Sequence, residues 1–202
     1  MTAMTHPASE RSAEQTRWRT LDIVVVAVIG VSFGVVFWAW NVLWGLTGPL
    51  FAAVPPAQYL FSGVWLVPAV LAPLIVRKPG AALFAELVAA GLSAALGSLW
   101  GLDALLSGFA QGAAAELAFA FTLYRAWTLP VALLAGAAAA VGEALHDLPV
   151  YYPTMPREFQ AAVAAAMLAS GVLIAGWGGW GLYGALRRSG VLRAFPADEP
   201  PG

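Results

Sequence analysis

Four carboxylates sit inside stretches of this sequence that otherwise suit lipid: Glu86, Glu116, Glu143 and Asp147. Asn41, Gln111 and His146 fall in similar surroundings, with Trp38, Trp44 and Trp65 among them. An ionised side chain near the centre of a bilayer costs about 2.5–3.5 kcal/mol on insertion scales, so such groups persist where they face a protein interior or a polar cavity. A carboxylate accepts hydrogen bonds when ionised and donates one when protonated, and an amide does both. Tryptophan offers a flat face for stacking or for a cation. These residue types together suit an outward-facing site for a small polar ring.

Spacing sorts the groups by depth and by face. At about 1.5 Å per residue, Glu86 lies roughly 10 Å from Pro79, Glu116 roughly 13 Å from Arg125, and Gln111 about 20 Å in. Glu143, His146 and Asp147 are spaced i, i+3, i+4 and share one helix face near the opposite surface, with Asn41 and Trp44 at the same level. Gln111 and Glu116 are five apart, about 140° around an ideal helix, so they do not share a face. Gly108 and Gly112 give that helix room to relax. Plainer readings stand beside the functional one: a solvated helix end for His146 and Asp147, a structural or partner contact for Glu86, and an interfacial belt for the tryptophans. Glu116, mid-segment with no base nearby, is the hardest to assign to structure alone.

Several chemistries are excluded or unsupported. The only lysine is Lys78, and no Gly-x-x-x-x-Gly-Lys-Ser/Thr loop surrounds it, so this chain hydrolyses no nucleotide by that route. Cysteine is absent and histidine occurs only at His6 and His146, which leaves no metal site or cofactor to expect. No Gly-x-Ser-x-Gly elbow occurs. With 10 Lys and Arg against 11 Asp and Glu there is no basic excess, so no nucleic-acid partner is expected.

The elements that must hold these groups are transmembrane helices. The chain has 202 residues, 60% hydrophobic and 10% charged, against about 25% charged in soluble domains. Six apolar stretches follow one another: Ile23–Leu46, Tyr59–Val76, Ala81–Leu99, Ala104–Tyr124, Trp127–Leu148 and Glu158–Leu186. Most are long enough to cross about 30 Å of hydrocarbon. The expected fold is an all-α polytopic membrane protein over 21–186, with a disordered tail at 1–20 and a polar tail at 187–202. Pro68 and Pro73 bend the second segment, and Pro-rich loops cover Thr47–Gln58 and Pro149–Arg157. No cleavable signal peptide is read, so the first apolar run is expected to stay as an anchor. An even number of spans puts nine of the ten Lys and Arg on the side of the termini and only Arg157 opposite. The termini are therefore expected in the cytoplasm.

Arg77-Lys78-Pro79-Gly80-Ala81-Ala82-Leu83 with Glu86 resembles the second-to-third helix junction of the YkoE-like S components of energy-coupling factor (ECF) transporters. Asn41-Val42-Leu43, Gln111-Gly112 with Glu116, Leu129-Pro130-Val131, Ala135-Gly136 and Asp147-Leu148 fit the same family. The resemblance implies a multi-pass protein of the bacterial cell membrane that captures thiamine or hydroxymethylpyrimidine. It also implies docking on a transmembrane coupling subunit driven by two ATPases, which agrees with the missing nucleotide loop. Small residues on the early helix, here Ala27, Gly30 and Gly34, are the implied docking surface. The expected substrate-binding set is Asn41, Trp44, Trp65, Glu86, Gln111, Glu116, Glu143, His146 and Asp147. Two other readings remain at this point: a self-contained secondary carrier, or an intramembrane enzyme using Glu116 or His146.

Overall fold

A computed structural model describes residues 17–195. The chain is helical from Thr20 on: α1 (Thr20–Thr47), α2 (Val67–Val76), α3 (Ala81–Ala95), α4 (Asp103–Phe121), α5 (Leu129–Tyr151), α6 (Arg157–Ser170) and α7 (Gly179–Ser189). Two 3₁₀ stretches, Gly48–Phe51 and Pro55–Leu66, lie between α1 and α2, and a π-helical stretch, Gly171–Gly178, joins α6 to α7. Among the described residues five spans are long and apolar enough to cross a membrane: Thr20–Phe51, Pro55–Val76, Asp103–Phe121, Leu129–Tyr151 and Arg157–Ser189. The sixth apolar helix, α3, has 15 residues and reaches about 22 Å.

The bundle is organised around α2. All ten of its residues are buried, including Pro68 and Pro73. Its sequence is apolar on every side, which is the pattern of a helix surrounded by other helices. Lipid-facing side chains are left to the outer helices, as in the exposed Val24, Val28, Val31 and Val35 of α1.

Glycines set the closest approaches. Gly30 and Gly34 of α1 face α3, where an added Cβ would lie 2.6 Å from Val88 Cβ and 2.7 Å from Leu92 Cβ. These two glycines, expected to form a docking surface, make this contact within the chain. Both are buried inside the chain because their missing side chains let α1 lie against α3, and Ala27 beside them is half-buried. Gly136 of α5 and Gly171 of the π-helical stretch meet backbone to backbone in the same way.

The end of the bundle that carries Arg77, Lys78 and Arg125 is tightly knitted. The chain turns there through Arg77 and Gly80, both at positive φ. Trp18 Nε1 donates to the Pro79 carbonyl at 3.0 Å, and its ring meets Phe84 edge-on. Asp22 accepts from the Arg19 backbone N–H at 2.9 Å and from its guanidinium at 2.7 Å. That hydrogen bond raises the Arg19 guanidinium above its ordinary value. Leu192 and Phe195 fold back into the core. The described parts of the two expected tails are thus partly packed, since Trp18, Leu192 and Phe195 would otherwise leave apolar surface in water. The rest of those tails lies outside the described residues.

Of the two loops expected from their prolines, the first is largely helical and the second is shortened to residues 152–156. Pro55 and Pro56 start a 3₁₀ stretch that feeds directly into α2, because proline's fixed φ suits a first helical turn. Tyr151 still belongs to α5, with Pro149 inside the helix.

Candidate functional site

At the end of the bundle away from Arg77 and Lys78, five segments enclose a cavity of about 210 Å³. Each segment offers it one face at its own helical period. From α1 come Phe37, Asn41 and Trp44; from α3, Glu86, Ala90 and Ser93; from α4, Ala104, Ser107 and Gln111. From α5 come Glu143, Asp147 and Tyr151. These sets are spaced by three and four residues, as one face of an α-helix requires.

The Pro55–Leu66 stretch follows a different rule. A 3₁₀ helix has three residues per turn, so positions i, i+3 and i+6 eclipse. Tyr59, Ser62 and Trp65 therefore stack along one line. Tyr59 and Trp65 line the cavity, and Ser62 Oγ donates to Glu143 Oε2 at 3.1 Å. In an α-helix Tyr59 and Trp65 would be about 120° apart.

One wall is aromatic. The Trp44 and Trp65 ring centroids are 4.8 Å apart with planes at 58°. Tyr59 meets Trp44 edge-on at 5.2 Å, and Trp100 meets Trp65 edge-on at 5.2 Å. The facing wall is acidic, formed by Glu86, Glu143 and Asp147 with Gln111. Gln111 Nε2 donates to Ser107 Oγ at 2.9 Å, and Ser107 donates to Asp147 Oδ1 at 3.2 Å.

Glu86 is fully buried at the floor of the cavity. The α2 backbone at Ala69 lies beside it, yet neither carboxylate oxygen is in hydrogen-bonding geometry with any described group. A buried carboxylate without a partner carries a large desolvation cost. The floor therefore offers a carboxyl group that accepts hydrogen bonds when ionised and donates one when protonated. Gly108 and Gly112 of α4 pass directly over Glu86, and a side chain at either would crowd this part of the cavity.

Of the residues expected to bind substrate, Asn41, Trp44, Trp65, Glu86, Gln111, Glu143 and Asp147 all line this one cavity. Glu116 and His146 do not. Glu116 points the other way round α4, toward the basic end. Its carboxylate accepts the backbone N–H groups of Gly80 at 2.6 Å and Ala82 at 2.9 Å. It caps the start of α3, where free N–H groups and the helix dipole favour an anion. Burial, with Glu116 adjacent, pushes the Tyr124 phenol up. His146 sits beside the cavity, between Asp147 Oδ1 at 2.8 Å from Nδ1 and Asp103 Oδ1 at 3.4 Å from Nε2. The face shared by Glu143, His146 and Asp147 is narrower than expected, and its third cavity member is Tyr151. Trp38 is 41% exposed on the outside of α1.

Tyr59, Ser93, Ser98, Trp100, Ser107, Tyr151 and Tyr152 were not anticipated from sequence. Ser98 and Trp100 lie in the α3–α4 turn, which begins after Ala95, so that Ser98 falls outside the helix expected over Ala81–Leu99. Tyr59 reaches the cavity because this stretch winds as a 3₁₀ helix. The i, i+4, i+8 spacing of Glu143, Asp147 and Tyr151 was the one signal available.

Known proteins resemble this chain in sequence and in fold. Residues 21–142 match the family described as "ABC-type cobalt transport system, permease component". Over 183 residues the chain is 35% identical to the Bacillus subtilis (strain 168) protein YkoE, whose name describes an HMP/thiamine permease; the match covers 88% of this chain and 89% of that one. A crystal structure titled as an S-component of an ECF transporter superposes with a TM-score of 0.84 at 32% identity, covering 89% of this chain and 91% of the other. Two such relatives, each matched over nearly its whole length and one of them in three dimensions, place this multi-pass protein of the bacterial cell membrane among the YkoE-like S components of ECF transporters.

Proposed function

We propose that this chain captures thiamine, or its hydroxymethylpyrimidine half, from the outer face and delivers it to an ATP-driven complex of a transmembrane coupling subunit and two ATPases. The observation that carries the reading is Glu86: a fully buried carboxylate without hydrogen-bond partners at the floor of a cavity with an aromatic wall. An aminopyrimidine offers N–H donors to such a floor. A thiazolium cation is attracted both by tryptophan faces and by the remaining carboxylates. Among the described residues eight of the nine Lys and Arg lie at the other end, which supports a cavity facing outward. The names of the relatives support the same ligand class. Cobalt, named in the family description, has less support: no three His, Asp or Glu side chains among the described residues are grouped to hold a metal.

Thermal unfolding of the detergent-purified protein tests the reading. A ligand at about 100 times its dissociation constant stabilises the folded state by about 2.7 kcal/mol. Thiamine or hydroxymethylpyrimidine is expected to raise the midpoint, while the isolated thiazole half and Co²⁺ are not. No shift with either pyrimidine compound would overturn the ligand assignment. Co-purification with the coupling subunit and ATPases, and uptake only when all are present, tests the assembly.

A further inference from the structure

Asn41 lines the cavity, but its side chain is already committed. Its Nδ2 donates to Ser93 Oγ at 3.0 Å and to Ser98 Oγ at 3.0 Å. Its Oδ1 accepts the Trp65 indole N–H at 2.9 Å. An amide has two N–H donors, and both are used here within the protein. The indole N–H of Trp65 can only donate, so it fixes the amide oxygen toward Trp65 and turns the two amide N–H groups to the serines, whose hydroxyls can accept. Asn41 is 3% exposed, which makes breaking this network to contact a ligand costly.

Its partners are elements of the aromatic wall. Trp65 is the ring between Trp44 and Trp100. Ser98 belongs to the α3–α4 turn that presents Trp100, and that turn is bounded by Gly97 and Gly101, both at positive φ. Its backbone is further joined by the Trp100 N–H to Ser98 Oγ at 3.3 Å. One amide on α1 therefore holds two tryptophans from two other segments, Trp65 directly and Trp100 through Ser98.

We infer that Asn41 is a positioning residue, which sets the plane of Trp65 and tethers the Trp100 turn, and makes no ligand contact of its own. This rests on the reading of the cavity as a ring-binding site, and it revises the role of Asn41 within it. Affinity at such a site depends on the wall being ordered before the ligand arrives. Removing the amide leaves every ligand-contacting atom in place but releases the two rings.

Two measurements test it. The first needs no ligand: the Trp65 indole N–H resonance and its solvent-exchange protection in ¹⁵N-tryptophan-labelled protein in detergent. Asn41→Leu is expected to shift the resonance and remove its protection. Ser98→Ala, which leaves the Asn41 amide anchored through Nδ2 to Ser93 and its oxygen on the Trp65 indole, is expected to keep both. An unmoved, protected Trp65 N–H in Asn41→Leu overturns the inference. This readout stands even if the cavity proves not to take thiamine.

The second is a double-mutant cycle on thiamine affinity with Trp65→Phe, which keeps a ring and removes the donor. Asn41→Leu alone is expected to weaken binding about fivefold or more, the scale of one lost hydrogen bond. In the Trp65→Phe background it is expected to add less than that, because its route through the indole is gone. Full additivity of the two losses overturns the inference, since it means that Asn41 acts on the ligand independently. Should Asn41→Leu fail to fold, Ser93→Ala with Ser98→Ala removes both acceptors of its amide and is expected to loosen Trp65; retained protection there would count equally against it.

Discussion

Gly112 of α4 lies against Glu86 of α3 so closely that a Cβ at position 112 would sit 2.9 Å from Glu86 Cβ and 3.4 Å from its Cγ. The acidic floor of the cavity exists in its present place because α4 has no side chain there. Sequence and site meet at this contact: the small residue is a property of one helix, and its consequence is the position of a carboxylate on another.

Gly112→Ala is therefore expected to displace Glu86 and to cost about 1–3 kcal/mol as overpacking. The backbone of Leu83 is also only 3.0 Å from the added atom, so side-chain rotation alone does not relieve the contact. Thermal unfolding reads the stability loss, and calorimetry with thiamine is expected to show weakened binding. Unchanged values in both would mean that α3 and α4 shift apart freely.

Glu86→Met separates stability from binding. The empty protein loses a buried carboxylate that has no hydrogen-bond partner, so its unfolding midpoint is expected to rise, by up to about 1–3 kcal/mol in stability. Thiamine binding is expected to fall about 30-fold or more, the usual scale for truncating one member of a buried charged contact. A variant that is less stable and binds normally would remove Glu86 from the site.

Glu116→Ala is expected to do the reverse. Its carboxylate holds the Gly80 and Ala82 N–H groups at the start of α3, and losing a helix cap costs about 0.5–2 kcal/mol. Thiamine affinity of the folded protein is expected to stay within about twofold of the parent, since no contact with the cavity is removed. A large loss of affinity with normal stability would return Glu116 to the binding site.

Gly30→Ala tests whether α1 meets α3 or a partner at this position. The added Cβ would lie 2.6 Å from Val88 Cβ and 3.0 Å from the Ala85 carbonyl oxygen. The isolated chain is expected to lose about 1–3 kcal/mol of stability. Normal stability of the isolated chain with failed co-purification of the coupling subunit would instead support a docking role.

The amino-acid sequence by itself determined the solvent and the helices. Runs of apolar residues near the hydrocarbon thickness leave the backbone no option but internal hydrogen bonding, and the skewed Lys and Arg placement gives an orientation. It also marked Glu86, Gln111, Glu143 and Asp147 as costly in lipid, and these four do converge on one cavity. What it left open was direction. Glu116 is as costly in lipid as Glu143, but a helix start from a neighbouring segment takes its charge, and no local pattern encodes that neighbour. Asn41 brings an amide's donors and acceptor by type, and groups from three distant positions take them up. Tyr59 and Trp65 share a face only because the chain winds there at three residues per turn. A residue's type fixes what it needs, namely a donor, an acceptor or dry surroundings; which group meets that need depends on which helices lie side by side, and packing alone decides that.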